Sequence, residues 1–212
     1  MPHPGDQDTK ARGGPDAGPV SRGMGALLTR LEGEVTNGGR LIGWKIGFNS
    51  APVQAHFGLV EPVVGYLVEA GSTCGVQPSG GTIPIGTWTS AAVEVEVAAR
   101  VGADGGLAGI GPALELVDLD LPFDDIEPIL AGNVFQRGVV FGDEVEVTDP
   151  MAIEAVVSKN GEEVSRGQLD QHPADTVAFV TRFLATHGAV LEPGQRIICG
   201  SVVAPVSVVP GD

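Results

Sequence analysis

The chain has 212 residues and a formal charge of −15, which excludes binding to nucleic acid or to an anionic membrane through a general surface field. That length suits one substantial core, and 32 glycines and 16 prolines with 5% aromatic residues describe many tight turns rather than long helices. Cys74 and Cys199 lack metal-type spacing and form no disulfide framework, no apolar run is long enough to cross a bilayer, and the start lacks a signal-peptide pattern, so a cytoplasmic protein with reduced thiols is expected.

Residues 1–23 are mainly proline, glycine and charged residues, too poor in apolar groups to offset their ordering entropy. They are expected to form a disordered tail, leaving 24–212 as a single domain. The spacing of Leu27, Leu28, Leu31 and Val35 predicts an amphipathic helix from Met24 to Val35, stopped by Asn37-Gly38-Gly39. Strands are expected at Leu41–Phe48 and Pro62–Val68. Between them, Pro52–Phe57 reads as a helical turn opened by Ser50. After the glycine-rich stretch 71–81 come a short strand at Thr82–Ile85, a strand around Glu94 and Glu96, and a turn at Asp104-Gly105-Gly106. Gly106–Gly111 has the wrong spacing for a nucleotide fingerprint and reads as turn glycine.

Pro112–Val117 and Val139–Phe141 read as strands, separated by an acidic run at 118–127 that suits a solvated loop or short helix. Asn160-Gly161 supplies the two positive φ angles of a tight hairpin between Ile153–Ser158 and Glu162–Ser165. Pro173–His187 is the best helix, with Pro173 at its first position, Val177, Val180 and Leu184 in a stripe, and Gly188 closing it. His172 suits a cap and His187 the helix C-terminus. Strands at Ile197–Val203 and Val206–Val209 finish the chain.

Three of these strands carry charge where propensity wants none. In Ala-Ala-Val-Glu-Val-Glu-Val-Ala, Glu94 and Glu96 project from one face with Cα atoms about 7 Å apart. Like charges that close raise each other's pKa unless a cation or donor lies between them, and a hard divalent ion resolves the repulsion, although solvated glutamates on an edge strand also fit. Gly43-Trp44-Lys45-Ile46-Gly47 sets one lysine in an apolar strand, and Ala113-Leu114-Glu115-Leu116-Val117-Asp118 sets one glutamate in another. Buried Lys and Glu are rare unless paired, so the three strands point to a shared polar site in a β-rich core.

With these strands in this order, the chain resembles the fumarylacetoacetate hydrolase superfamily, and within it the 2-keto-4-pentenoate hydratases and 2-oxo-3-hexenedioate decarboxylases. The likeness extends through Phe48-Asn49-Ser50, Gly65-Tyr66-Leu67, Gly138-Val139-Val140, the 173–187 helix, Cys199-Gly200-Ser201-Val202 and Pro210-Gly211-Asp212, covering residues 40–212. It implies an α+β, β-rich fold: a rolled mixed β-sheet with few short helices. It implies that Glu94, Glu96 and Glu115 ligate Mg²⁺ or Mn²⁺, that Lys45 is the charged catalytic group, and that Ser50 and Ser201 line the substrate pocket. An acid for proton transfer falls at Glu69, one residue from its place in the family, and Gly132-Asn133-Val134-Phe135 replaces the family's Asp-Asn-Ala-Ser-like stretch.

The implied substrate is a small 2-oxo or 2-hydroxydienoic acid, whose carboxylate and 2-oxygen chelate the ion so that an enolate can form. Hydration, decarboxylation and a fumarylacetoacetate-type hydrolysis all fit that chemistry. The family likeness also implies a homo-oligomer. Relatives continue beyond Pro-Gly-Asp with further strands, so a truncated, non-catalytic metal-binding subunit is the alternative of another class.

Overall fold

The computed structural model describes residues 18–69, 75–146 and 149–212. In chain order the elements are α1 (Pro19–Thr36), β1 (Arg40–Gly47), α2 (Ala51–Phe57), β2 (Val63–Glu69), β3 (Gly75–Gln77), β4 (Ala91–Val101) and β5 (Leu107–Asp118). Then follow α3 (Ile126–Ala131), β6 (Gln136–Phe141), β7 (Glu154–Lys159), β8 (Glu162–Gln168), α4 (Pro173–Thr186), β9 (Arg196–Ser201) and β10 (Val206–Ser207).

The main sheet runs β2-β1-β9-β4-β5-β6-β3, with β10 paired to β4. The β1/β9 and β3/β6 pairs are parallel and the others antiparallel. Its two ends, β2 and β3, approach each other, so the sheet rolls into a nearly closed barrel, the mixed architecture that the family likeness implied. Leu67, Ala98, Ala113, Val139 and Ile198, one from each of five strands, pack together as a small apolar cluster. A larger core joins Trp44, Ile46, Tyr66, Ala99 and Ile197 of the sheet to Met24, Leu27, Ile129, Leu130, Val180 and Leu184 of the helices. The hairpin β7-β8 stands apart, its Asn160 and Gly161 both at positive φ as its Asn-Gly turn requires.

Several elements depart from expectation. Helix α1 begins at Pro19, so residues 19–23 are helical rather than part of a disordered tail; residues 1–17 lie outside the described set. Composition missed this because the extra turn is held by tertiary contact: Arg22 is in a salt bridge with Glu127 of α3 at 2.6 Å. The buried face of α1 is Met24, Leu27, Leu31 and Glu34, while Val35 is exposed. Glu34 takes the core position because the Tyr66 hydroxyl donates to it at 2.8 Å.

Thr82–Ile85 is irregular, since Pro84 has no N–H for a ladder, and the extra strand β3 lies upstream in the glycine-rich stretch. Gly106–Gly111 contributes mostly to β5 rather than to a turn, with Val145 N donating to Ile110 O at 2.8 Å. The acidic run divides: Asp118 is buried and accepts from Thr89 N and Ser90 N, and Asp125 caps α3. Both predicted roles at α4 hold, His172 Nδ1 accepting from Ala174 N at 3.1 Å and Gly188 closing the helix at φ 74°. Among the described residues no helix is long and apolar enough to cross a membrane.

Gly43 marks the closest strand contact near the site, because a Cβ there would lie 1.9 Å from Arg196 O on β9. Gly43→Ala is therefore expected to lower stability by about 2–3 kcal/mol, read as a lower urea midpoint at unchanged slope.

Candidate functional site

The antiparallel register of β4 and β5 sets Glu94 directly opposite Glu115, and Glu96 opposite Ala113. Side chains two apart on a strand share a face, so all three carboxylates converge, and one oxygen from each lies within 4.8 Å of the others. Glu96 is 2% and Glu115 0% exposed, whereas Glu94 is half-buried and forms the open side of the cluster.

Strand β1 is three places from β5 in the sheet order. On a flat sheet that separation is about 14 Å; the roll closes it, and the Lys45 ammonium forms an ion pair with Glu115 Oε1. Lys45 is itself 2% exposed, and its Nζ also donates to Val134 O at 3.0 Å. The buried ion pair that the lone lysine suggested is thus present, and it stands inside the carboxylate cluster.

Two further pieces of backbone serve the site. Between Glu96 and Ala98 the β4/β9 register shifts, giving β9 one extra residue at 199–200. Gly200 takes φ 95° there, and its N–H leaves the ladder to donate to Glu96 Oε2 at 2.7 Å. Asn133, Val134 and Phe135 form a run at φ 63°, 52° and 65°, which turns the Val134 carbonyl toward Lys45. Both stretches were noted in the sequence, but neither backbone group was given a role there. Glycine inside a strand is a sign of a bulge, and asparagine is a frequent left-handed residue, but nothing local marks Val134.

Burial is the main force holding the Glu96 carboxyl well above the ordinary range; the charges of Glu115 and Glu94 add to it, while Lys45 and the Gly200 N–H oppose it. Burial likewise pushes Glu115 up to about 7 against the attraction of Lys45. Glu96 Oε1 and Glu115 Oε2 are buried with no hydrogen-bond partner. Two orphaned carboxylate oxygens beside a third carboxylate make an all-oxygen donor set that fits a hard divalent cation.

The remaining predicted residues are less central. Ser201 pairs in register with Glu96, but its hydroxyl donates to Val203 O at 2.5 Å. Ser50 occupies the N-cap of α2, exposed and without a side-chain capping bond. Glu69 is not brought to the cluster. It ends β2 in an ion pair with Arg40, four residues and about 13 Å along the strand from Gly65, the neighbour of Lys45. Cys199 is a buried free thiol, pushed up to about 12 by desolvation, and Cys74 lies outside the described residues.

No family model matches the chain. The 4-oxalocrotonate decarboxylase of Pseudomonas sp. (strain CF600) is 28% identical over 195 residues, covering 82% of this chain and 72% of that protein. The 2-oxo-hept-4-ene-1,7-dioate hydratase of Escherichia coli is 30% identical over 208 residues, covering 84% and 75%. Among solved structures, the 4-oxalocrotonate decarboxylase from Pseudomonas putida G7, complexed with magnesium and adipate, superposes with a TM-score of 0.81 at 22% identity, covering 93% of this chain and 81% of that one.

Because Glu96 and Glu115 hold protons more tightly in the folded state than in the unfolded chain, their contribution to stability is full below about pH 4.5 and is lost as pH rises, through about 7 for Glu115 and in the same direction for Glu96. In chelator, the melting temperature is expected to fall across that window. Added Mg²⁺ or Mn²⁺ should restore it most at the alkaline end, where no proton competes for the carboxylates.

Proposed function

Since this chain belongs to the hydratase and decarboxylase family of the fumarylacetoacetate hydrolase superfamily, we propose that it is a divalent-metal-dependent lyase that hydrates a small 2-hydroxydienoic or 2-oxo acid of the 2-keto-4-pentenoate type. The observation that carries this reading is the buried cluster itself, three carboxylates with two orphaned oxygens against a single buried ammonium.

Glu94, Glu96 and Glu115 would hold Mg²⁺ or Mn²⁺. When bound, such an ion supplies Lewis acidity toward the carboxylate and 2-oxygen of the substrate. Glu96 is oriented by Gly200 N and Glu115 by Lys45, so two of the three carboxylates are fixed before anything binds, and half-buried Glu94 marks the side open to entry. The Lys45 ammonium, desolvated and placed by two acceptors, stabilises negative charge developing on a substrate oxygen or transfers a proton at Nζ. The rest of the roll interior is the apolar Leu67, Ala98, Ala113, Val139 and Ile198 packing, which keeps water away from the ammonium.

Decarboxylation is the second reading, favoured by the decarboxylase relatives and starting from the same kind of substrate. A single assay separates the two: Mg²⁺ should accelerate loss of the ultraviolet absorbance of 2-hydroxypenta-2,4-dienoate without CO₂, whereas a decarboxylase would release CO₂ from a 2-oxo-enedioate. Glu96→Ala and Lys45→Met are each expected to lower kcat by about two orders of magnitude or more, and Glu96→Ala should also abolish metal uptake by calorimetry. Metal uptake by the unmodified chain with no turnover of either substrate would instead support the non-catalytic subunit.

A further inference from the structure

We propose that the left-handed turn Asn133–Phe135 is the device that holds the Lys45 ammonium in its working position, with Asn133 as the positioning residue; this deepens the lyase reading and rests on it. Three successive non-glycine residues at positive φ, one of them β-branched, are a costly backbone state that persists only where the surroundings over-determine it. The Asn133 side chain supplies that restraint. Its Oδ1 accepts from Tyr66 N at 2.8 Å and its Nδ2 donates to Tyr66 O at 3.0 Å, so one carboxamide engages both backbone groups of a residue on β2. Nδ2 also lies 3.2 Å from Gln136 Oε1.

Tyr66 is itself tied down, its hydroxyl donating to Glu34 of α1 in the core. Gly65 leaves room for the carboxamide, because a Cβ there would lie 2.8 Å from Asn133 Oδ1. Helix α1, strand β2 and the turn are therefore one braced unit. What that unit presents to the interior is the Val134 carbonyl, 3.0 Å from Lys45 Nζ.

A lysine stem is flexible and its ammonium has three donors. With Glu115 as sole acceptor, Nζ would follow that carboxylate wherever a ligand drew it. A second acceptor on a rigid turn defines the position of Nζ, and it leaves one N–H for a substrate oxygen. Asn133 touches no reacting atom in this arrangement; it acts through Val134 O and Lys45.

The test uses the full chain with Mg²⁺. Asn133→Gly keeps the backbone free to adopt positive φ while removing the brace, and Asn133→Ala removes both. Rates are expressed per metal-loaded site by calorimetric stoichiometry, so that misfolded protein does not count. Both variants are expected to lose at least about tenfold in kcat, as displacement of a catalytic group by an ångström does, with KM and Mg²⁺ affinity within about twofold. The ¹⁵N-detected ammonium signal of Lys45, visible in the unmodified protein because its protons are held, should broaden or vanish in both. Val180→Ala, a core truncation in α4, controls for lost stability and should change neither readout.

Unchanged kcat per loaded site in Asn133→Gly overturns the proposal. If the unmodified protein shows no Mg²⁺-dependent turnover, the lyase reading fails on its own, and the Lys45 signal decides the role of the turn. Equal signals in the unmodified protein and in Asn133→Gly would refute it.

Discussion

Everything near the site follows from enclosing three carboxylates and one ammonium within a rolled sheet. When all are ionised, the lysine compensates one carboxylate and leaves two negative charges without a counter-charge, Glu96 in the buried interior and half-buried Glu94 at its edge. Such an arrangement is unfavourable unless the groups neutralise or pair. Protonation is one resolution, and it is the direction in which burial drives Glu96 and Glu115. A doubly charged cation is the other. The excess matches such an ion in charge, and the orphaned oxygens match it in chemistry.

The fold provides this enclosure through its irregularities more than its regular ladders. Curling brings β1 over β5, so that Lys45 reaches Glu115. One extra residue in β9 turns the Gly200 N–H out of the ladder and onto Glu96, and three left-handed residues after α3 turn a carbonyl onto Lys45. Each device places a backbone dipole of the sign the side chain needs: a donor for the carboxylate and an acceptor for the ammonium. Backbone dipoles fixed in this way need no reorganisation when charge moves.

The sequence carried the charged residues plainly because a strand alternates with period two, and a lysine or glutamate inside such a run contradicts its surroundings. Glu94, Glu96, Glu115 and Lys45 were legible for that reason, and the Asn160-Gly161 hairpin and the 173–187 helix were legible from turn and cap chemistry. Contacts between elements were not legible. Helix α1 gains its first turn from Arg22 meeting Glu127, and its buried face shifts to Glu34 because of Tyr66. The role of Val134 lies in a carbonyl, which no side-chain pattern encodes. Glu69 shows the converse: a carboxylate picked out by family likeness lies at a strand end in an ion pair with Arg40, away from the cluster.

The charge of the whole molecule sharpens the division between surface and interior. Arginines 22, 30, 40, 100, 137, 166 and 182 each meet a carboxylate, so these surface cations are locally balanced within a chain of net charge −15. An anionic substrate approaching such a surface gains no long-range attraction. Its binding energy has to arise at short range, where low dielectric makes each charge count for more. Among the described residues, the one lysine or arginine side chain fully withdrawn from water is Lys45, and it stands where the carboxylates would also hold a metal. The one buried ammonium thus lies beside the carboxylates, and with a divalent ion held there that place would suit a small organic anion.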